Sequence, residues 1–233
     1  MADRLNLDRP GLVHATDNIP GWTGLPLGQQ LADSFALPTF VENDANCFAL
    51  AEAALGAGQG YRHLLVVAVG TGVGAGIVIN SRLYSGWQGK AGEVGHLCIE
   101  PVNGRPCTCG LTGCLESYTA TRIIVANSGY AAIQHLAAAY CAGKAIPEVD
   151  EASLWLGRGL ETMAHVLGPA AIIIGGSVGL LGARYLDLVQ HSYYAHAMLS
   201  YRTIPILAAQ LAADTGLLGA GIWARQGLDA MRA

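Results

Sequence analysis

Apolar and polar residues alternate along this chain in two rhythms. Leu64-Leu65-Val66-Val67-Ala68-Val69 is an unbroken apolar run, the pattern of a strand covered on both faces. Gly70 to Gly74 reads as a glycine turn, and Ala75-Gly76-Ile77-Val78-Ile79 as a second strand. Asn80-Ser81 turns the chain again before Arg82-Leu83-Tyr84, which completes a β-meander. Between Thr119 and Lys144, Ile123, Ile124, Ile133, Leu136, Ala137 and Tyr140 recur at helical spacing. Ser153 to Leu167 repeats that spacing until Gly168-Pro169 stops it. Ala170-Ala171-Ile172-Ile173-Ile174 is then a buried strand ending at Gly175-Gly176. A helix over about 182–199, a strand over 204–208 and a last helix over about 215–226, capped by Asp214, complete the pattern.

Upstream, Pro10, Pro20, Pro26 and Pro38 favour short extended pieces over long helices. Thr39-Phe40-Val41-Glu42 reads as a short strand. Ala45 to Leu55 is a good helix sequence closed by Gly56, which puts Asp44 at the N-cap position. Strands and helices interleave throughout, so the fold class is α/β.

Composition narrows the picture. With 52% hydrophobic and 13% charged residues, the chain is not of the disordered class. Its 13 Lys+Arg against 17 Asp+Glu give a net charge of −4 with no basic stripe, which argues against a nucleic-acid partner. The longest apolar stretch, Leu64 to Ile79, is interrupted by glycines and falls short of the ~20 residues of a bilayer span, so no membrane partner is expected. The start Met1 to Asp8 lacks the basic and apolar regions of a signal peptide. A cytoplasmic location is the expectation, and the six cysteines then read as thiols or metal ligands rather than disulfides.

Their spacing separates two groups. His96, Cys107, Cys109 and Cys114 place three thiols and an imidazole around one glycine-rich loop, a donor set that suits a closed tetrahedral Zn2+. Cys47, Cys98 and Cys141 lie outside that spacing and are expected to be small core residues. The run Gly70-Thr71-Gly72-Val73-Gly74-Ala75-Gly76 imitates a dinucleotide fingerprint, but Ile77-Val78-Ile79 continues as strand where that motif needs a helix. A glycine hairpin can still cradle a phosphate through backbone N–H groups, and it can equally be a tight turn that needs positive φ. Asp44 stands at a strand-to-helix corner, either as a cap or as a reacting group. Glu93, His96 and Glu116 flank the presumed zinc loop, where two carboxylates and an imidazole could grip several hydroxyls of a sugar. Gly175-Gly176-Ser177, past the end of a buried strand, is a second place for a nucleotide to approach the backbone. The remaining histidines, among them His63, His135, His165, His191 and His196, are expected to be surface or satisfied core residues.

Four segments in order, Glu42-Asn43-Asp44-Ala45-Asn46, Gly70 to Gly76, Gly92-Glu93-Val94-Gly95-His96 and Cys107-Thr108-Cys109-Gly110-Leu111-Thr112-Gly113-Cys114-Leu115-Glu116, resemble the ROK family of repressors, open reading frames and sugar kinases. The similarity runs from about Leu12 to Ala224. Within the family, Ile174 to Leu180 and Asp214 to Ala220 look most like the bacterial N-acetylmannosamine kinases. The resemblance implies an actin-like ATPase (ribonuclease H-like) fold of two lobes with sugar and ATP in the cleft between them. It implies Asp44 as catalytic base toward the sugar 6-hydroxyl, and Asn43, Asp44, Glu93, His96 and Glu116 as sugar ligands. Thr71, Gly72 and Gly74 match a phosphate loop, Gly175 and Gly176 the nucleotide side, and His96, Cys107, Cys109 and Cys114 the zinc ligands. ATP with Mg2+ is the implied phosphoryl donor.

One departure stands out. The family's Asp-x-Gly-Gly-Thr hairpin and most of its small lobe are not found in this sequence, so residues 1–58 are expected to be a remnant of the small N-terminal lobe, joined by a C-terminal helix over 214–232. Residues 59–213 would form the large lobe with the zinc loop. A truncated lobe exposes a sheet edge and an apolar face, which favours a homodimer. The functional expectation is an ATP-dependent kinase of an N-acetylhexosamine such as N-acetylmannosamine, or of a hexose such as glucose. Its alternative is a sugar-binding pseudokinase or the sensing part of a repressor.

Overall fold

The computed structural model describes residues 24–211 and 214–232. A five-stranded sheet is built from β1 (Leu64–Val69), β2 (Val73–Ile79), β3 (Arg82–Tyr84), β4 (Ala171–Gly175) and β5 (Ile206–Ala208), in the order β3-β2-β1-β4-β5. β2 runs antiparallel to both β1 and β3, whereas β4 is parallel to β1 and to β5. The carboxyl ends of β1 and β4 therefore lie side by side, with Val67 opposite Ile174 and Ala68 opposite Gly175. In α/β sheets, ligands bind outside such strand ends.

Each central strand is buried on both faces. Leu65, Val67 and Val69 face the larger core with Ile172 and Ile174, while Leu64, Val66 and Ile173 face a smaller one. The larger core is covered by α3 (Glu116–Thr119), α4 (Thr121–Ser128), α5 (Ile133–Cys141), α6 (Pro147–Leu167) and α7 (Gly182–His196). The smaller is covered by α2 (Asp44–Leu55) through Ala49 and Phe48. α8 (Thr215–Arg232) packs on α2, and α1 (Leu27–Phe35) buries none of its residues. No helix among the described residues is long and apolar enough to cross a membrane.

Missing side chains set how closely α2 is held. A Cβ on Gly74 would stand 2.9 Å from the Ala45 Cβ, and one on Gly76 would overlap the Ala49 Cβ. On the other side, a Cβ on Gly219 of α8 would overlap the backbone carbonyl of Cys47. None of these glycines has a positive φ. They are there for close approach, so the tight-turn reading of Gly70 to Gly76 is replaced by a packing one. The carboxylate of Glu52, fully buried, closes the far end of α2 by accepting from the backbone N–H groups of Ala57, Gln210 and Leu211 at 2.8–3.2 Å.

Several boundaries differ from the sequence reading. Thr39–Glu42 is not a strand, because it pairs with no neighbour among the described residues. The N-cap of α2 is Asn43 rather than Asp44: its side chain accepts from Ala45 N at 2.9 Å and Asn46 N at 3.3 Å, and Asp44 is the first helical residue. The helical stretch after Thr119 breaks into α4 and α5 at Gly129, whose φ of 74° ends α4 in the left-handed conformation. α6 starts six residues early, at Pro147, where proline's fixed φ suits a first turn carrying Glu148 and Asp150. β5 begins only after Pro205, which has no N–H to give a ladder. α8 continues to Arg232. The proline-punctuated segment before Gly24 lies outside the described residues.

Replacing Gly219 by Ala tests the approach of α8 to α2. Alanine is the better helix former by about 1 kcal/mol, but the overlap with the Cys47 carbonyl forces the two backbones apart. The expected net result is a loss of about 1–2 kcal/mol, read as a melting temperature lower by several degrees. An unchanged or raised melting temperature would show that α8 yields freely.

Candidate active site

The first four residues from the hairpin into β2 touch every motif singled out in the sequence. The hairpin Gly70-Thr71-Gly72 closes with the Gly70 N–H donating to the Gly72 carbonyl at 2.9 Å. Val73 N–H donates to Glu116 Oε2 at 3.0 Å, and Gly72 is so close that a Cβ there would stand 2.6 Å from the same oxygen. Gly74 lies under Ala45, which places the start of α2, with Asp44, against the hairpin. Ala75 N–H donates to the Gly92 carbonyl at 3.0 Å, which seats the Gly92-Glu93-Val94-Gly95-His96 segment along β2. That segment lies flat: side chains on Gly92 and Gly95 would overlap the carbonyls of Ala75 and Val73.

Within this frame Asp44 and Asn43 are exposed at the start of α2. Asp44 uses Oδ1 to accept from Ala45 N at 2.8 Å. Asn43 uses its amide oxygen for the cap and leaves Nδ2 as a donor. Glu42 Oε1 accepts from Asn43 N and from Asn46 Nδ2, both at 2.9 Å, and so fixes the corner. Glu93 is exposed, and His96 half-buried in a single 3-10 turn over Val94–His96. Thr71, at the hairpin tip, is exposed. At the end of β4, Gly176 has a φ of 85° and lies against Val69, while Gly175 lies against the Phe48 ring. Ser177 Oγ stands 3.0 Å from Thr121 Oγ1, and the Thr121 N–H donates to the Gly70 carbonyl at 2.8 Å. The ends of β1 and β4, the hairpin and the start of α4 thus form one corner.

Glu116 is the junction. Only 8% exposed, it accepts on Oε1 from Arg122 NH2 at 2.9 Å and from the Thr108 hydroxyl at 3.2 Å, and on Oε2 from Val73. Thr108, Thr121 and Arg122 were missed in the sequence. Thr108 sits inside the cysteine loop, but nothing in its spacing marks it, and Arg122 reaches Glu116 across a helix break that no periodicity shows.

The cysteine loop assembles as its spacing suggested. The ligand atoms of His96, Cys107, Cys109 and Cys114 all lie within 4.8 Å of one another. Zinc bonds of about 2.3 Å to sulfur and 2.0–2.1 Å to nitrogen give a tetrahedron with edges of roughly 3.8 Å between sulfurs and 3.6 Å between sulfur and nitrogen. Cys109 Sγ and Cys114 Sγ are 3.7 Å apart, and Cys107 Sγ is 3.6 Å from His96 Nδ1. The donor set fits Zn2+, with His96 Nε2 left over for another partner. Burial opposes ionisation of Cys107, but the Cys109 N–H and thiol, the Ser117 hydroxyl and His96 outweigh it and bring the thiol down to about 6. Burial, then the Cys109 and Cys107 thiols, push Cys114 up to about 12. A metal entering here would displace protons. The loop is anchored to α6 by Arg105, which pairs with Glu151 at 2.7 Å and stacks 4.6 Å over the Tyr118 ring.

The other cysteines divide. Cys47 is buried, its thiol raised to about 11 by burial first and by Glu42 and Asp44 second. Cys98 and Cys141 are exposed, not core residues as expected, because each lies on a loop-facing edge with its thiol toward backbone carbonyls. His165 pairs with Glu161 at 2.8 Å and His196 with the Ser192 carbonyl at 2.8 Å, which makes them satisfied histidines. A cavity of about 330 Å³ between α2, β2 and α8, lined by Leu50, Ala53, Tyr61, Leu83 and Ile222, borders none of the motif residues. Its walls are mainly apolar.

The chain matches the ROK family over residues 7–227 and belongs to it. It is 32% identical to a glucokinase of Halalkalibacterium halodurans over 243 residues, covering 95% of this chain and 73% of that protein. The solved structure of a ROK family glucokinase from Streptomyces griseus, in complex with glucose and AMPPNP, matches with a TM-score of 0.86 at 32% identity, over 94% of this chain and 78% of that one. The xylose repressor of Bacillus subtilis is 30% identical over 181 residues, 72% of this chain and 47% of the repressor. The fold is accordingly that of the actin-like ATPases.

If the four-ligand cluster holds zinc, purified protein should contain one zinc per chain by elemental analysis. A chelator or Cys109→Ser should then lower the melting temperature. No metal together with an unchanged melting curve would remove zinc from the account.

Proposed function

We propose that this chain is an ATP-dependent sugar kinase that phosphorylates the 6-hydroxyl of a hexose or N-acetylhexosamine. The observation that carries this reading is Asp44, an exposed carboxylate whose neighbour Ala45 lies directly on Gly74 of the glycine hairpin. A proton acceptor beside a loop suited to phosphate is what phosphoryl transfer to an alcohol needs, since that chemistry depends mainly on positioning and charge stabilisation. In the step proposed, Asp44 takes the proton of the hydroxyl as its oxygen bonds to the γ-phosphorus, the bond from the γ-phosphorus to the bridging oxygen breaks, and ADP leaves with Mg2+.

Asn43 Nδ2 would donate to a sugar hydroxyl, and Glu93, His96 and Glu116 would hold others. Thr71, Gly72 and Gly74 would face the phosphates, with Gly175 and Gly176 on the nucleotide side. Zinc would fix the loop that carries His96 and Glu116, a structural part with no share in the bond changes. The two kinase relatives are named glucokinases, which sets glucose beside N-acetylmannosamine as a candidate substrate. The division into a small lobe (1–58 with 214–232) and a large lobe (59–213) belongs to this proposal. It is supported by the close approach of Gly28 to Val41 and of Gly227 to the Phe40 ring, which gathers α1, the 38–42 segment and α8. A homodimer is supported by the end of α1, where Phe35 and, just past the helix, Leu37 are exposed.

The xylose repressor among the relatives favours a second reading, a sugar-binding protein without catalysis. A coupled assay separates the two. With glucose or N-acetylmannosamine, ATP and Mg2+, the protein should release ADP in a sugar-dependent way. Asp44→Asn should cut that rate at least about 100-fold while the fold stays intact by circular dichroism. Sugar binding without sugar-dependent ADP release would favour the binder. Light scattering at micromolar concentration should return the mass of two chains; a single-chain mass removes the dimer.

A further inference from the structure

The carboxylate of Glu116 offers about four lone-pair sites. Arg122 NH2 and the Thr108 hydroxyl take two on Oε1, and Val73 N–H takes one on Oε2. One site is left, on the oxygen beside Gly72, which any side chain at that position would crowd. A hydroxyl bound there would share its acceptor with the N–H of the first residue after the hairpin. Any phosphate that reorients the hairpin would therefore act on that oxygen directly. Arg122 follows Thr121, whose N–H donates to the Gly70 carbonyl at 2.8 Å, so its backbone starts beside the other end of the same hairpin. Its ion pair with Glu116 is partly sheltered, the two side chains being 33% and 11% exposed.

We propose that the chain of contacts Arg122–Glu116–Val73 links the sugar side of the site to the phosphate side, so that nucleotide at the hairpin tightens sugar binding, with Arg122 as the positioning residue. The inference rests on the kinase reading and adds to it a mechanism of synergy. An ordered hairpin keeps Val73 N–H on Oε2 and Arg122 on Oε1, which leaves the carboxylate a single orientation, preorganised for a hydroxyl. Without the guanidinium, Oε1 keeps only Thr108 and Oε2 only Val73, so the carboxylate loses its charged partner and its orientation is held less firmly when the hairpin shifts. Arginine suits the task because its planar fork fixes direction as well as charge.

The test is calorimetric titration of glucose and of N-acetylmannosamine with and without AMPPNP and Mg2+, and of AMPPNP with and without sugar, on the wild type, Arg122→Gln and Arg122→Lys. The wild type should show a coupling factor of about 5 or more, equal in both directions because coupling is reciprocal. In Arg122→Gln the factor should fall by at least about half, and Arg122→Lys should restore part of it, which a loss of general stability would not do. Hydrogen exchange of the Val73 amide in the ligand-free protein should be faster in Arg122→Gln. Coupling that does not fall in Arg122→Gln, or unchanged Val73 exchange, overturns this inference alone. A wild type that binds no sugar overturns the kinase reading and the coupling with it.

Discussion

The start of β2 is the constraint on which the rest depends. Val73 is bonded to Glu116, Gly74 lies under α2, Ala75 is bonded to Gly92, and the Val73 carbonyl lies against Gly95. Three segments that are far apart in sequence thereby share one short piece of backbone as their floor. Backbone is a good floor because its groups are fixed by the ladder to β1, where Ala68 pairs with Gly74 and Val69 with Val73. Side chains would be both bulkier and less certain in position. The glycines at 72, 74 and 76 are what allow the neighbours to come down onto it.

Two kinds of order meet around that floor. The larger core, with Leu65, Val67, Ile172 and Leu156, is held by apolar packing that tolerates many arrangements of similar volume. The corner above it is held by directed bonds: a capping amide at Asn43, a three-donor carboxylate at Glu116 and a hydroxyl pair at Thr121 and Ser177. A buried carboxylate left short of donors would be costly, so Glu116 commits Arg122, Thr108 and Val73 to one geometry. The cysteine loop adds a third restraint, tied to α6 through Arg105, Tyr118 and Glu151.

Much of this was legible in the sequence. The apolar run of β1 and the Ile172-Ile173-Ile174 strand follow from burial on both faces, and the ligand cluster follows from cysteine spacing that the loop respects. What escaped were features set by tertiary contact. Asn43 and Asp44 are both good caps, and only the turn geometry gives the place to Asn43. Thr39–Glu42 has the composition of a strand, but a strand exists only with a partner. Gly129 interrupts an apolar period that by itself runs on from α4 to α5. Arg122 carries no motif, and its role follows from where a broken helix delivers it.

The buried carboxylate of Glu52 has a mechanical meaning. It grips the N–H groups of Gln210 and Leu211, just after β5, from the end of α2. With Gly219 pressed on Cys47 nearer its start, α2 is held at two points, by the stretch after β5 and by α8. Asp44, on the first turn of α2, is thereby tied to the sheet and to α8 at once.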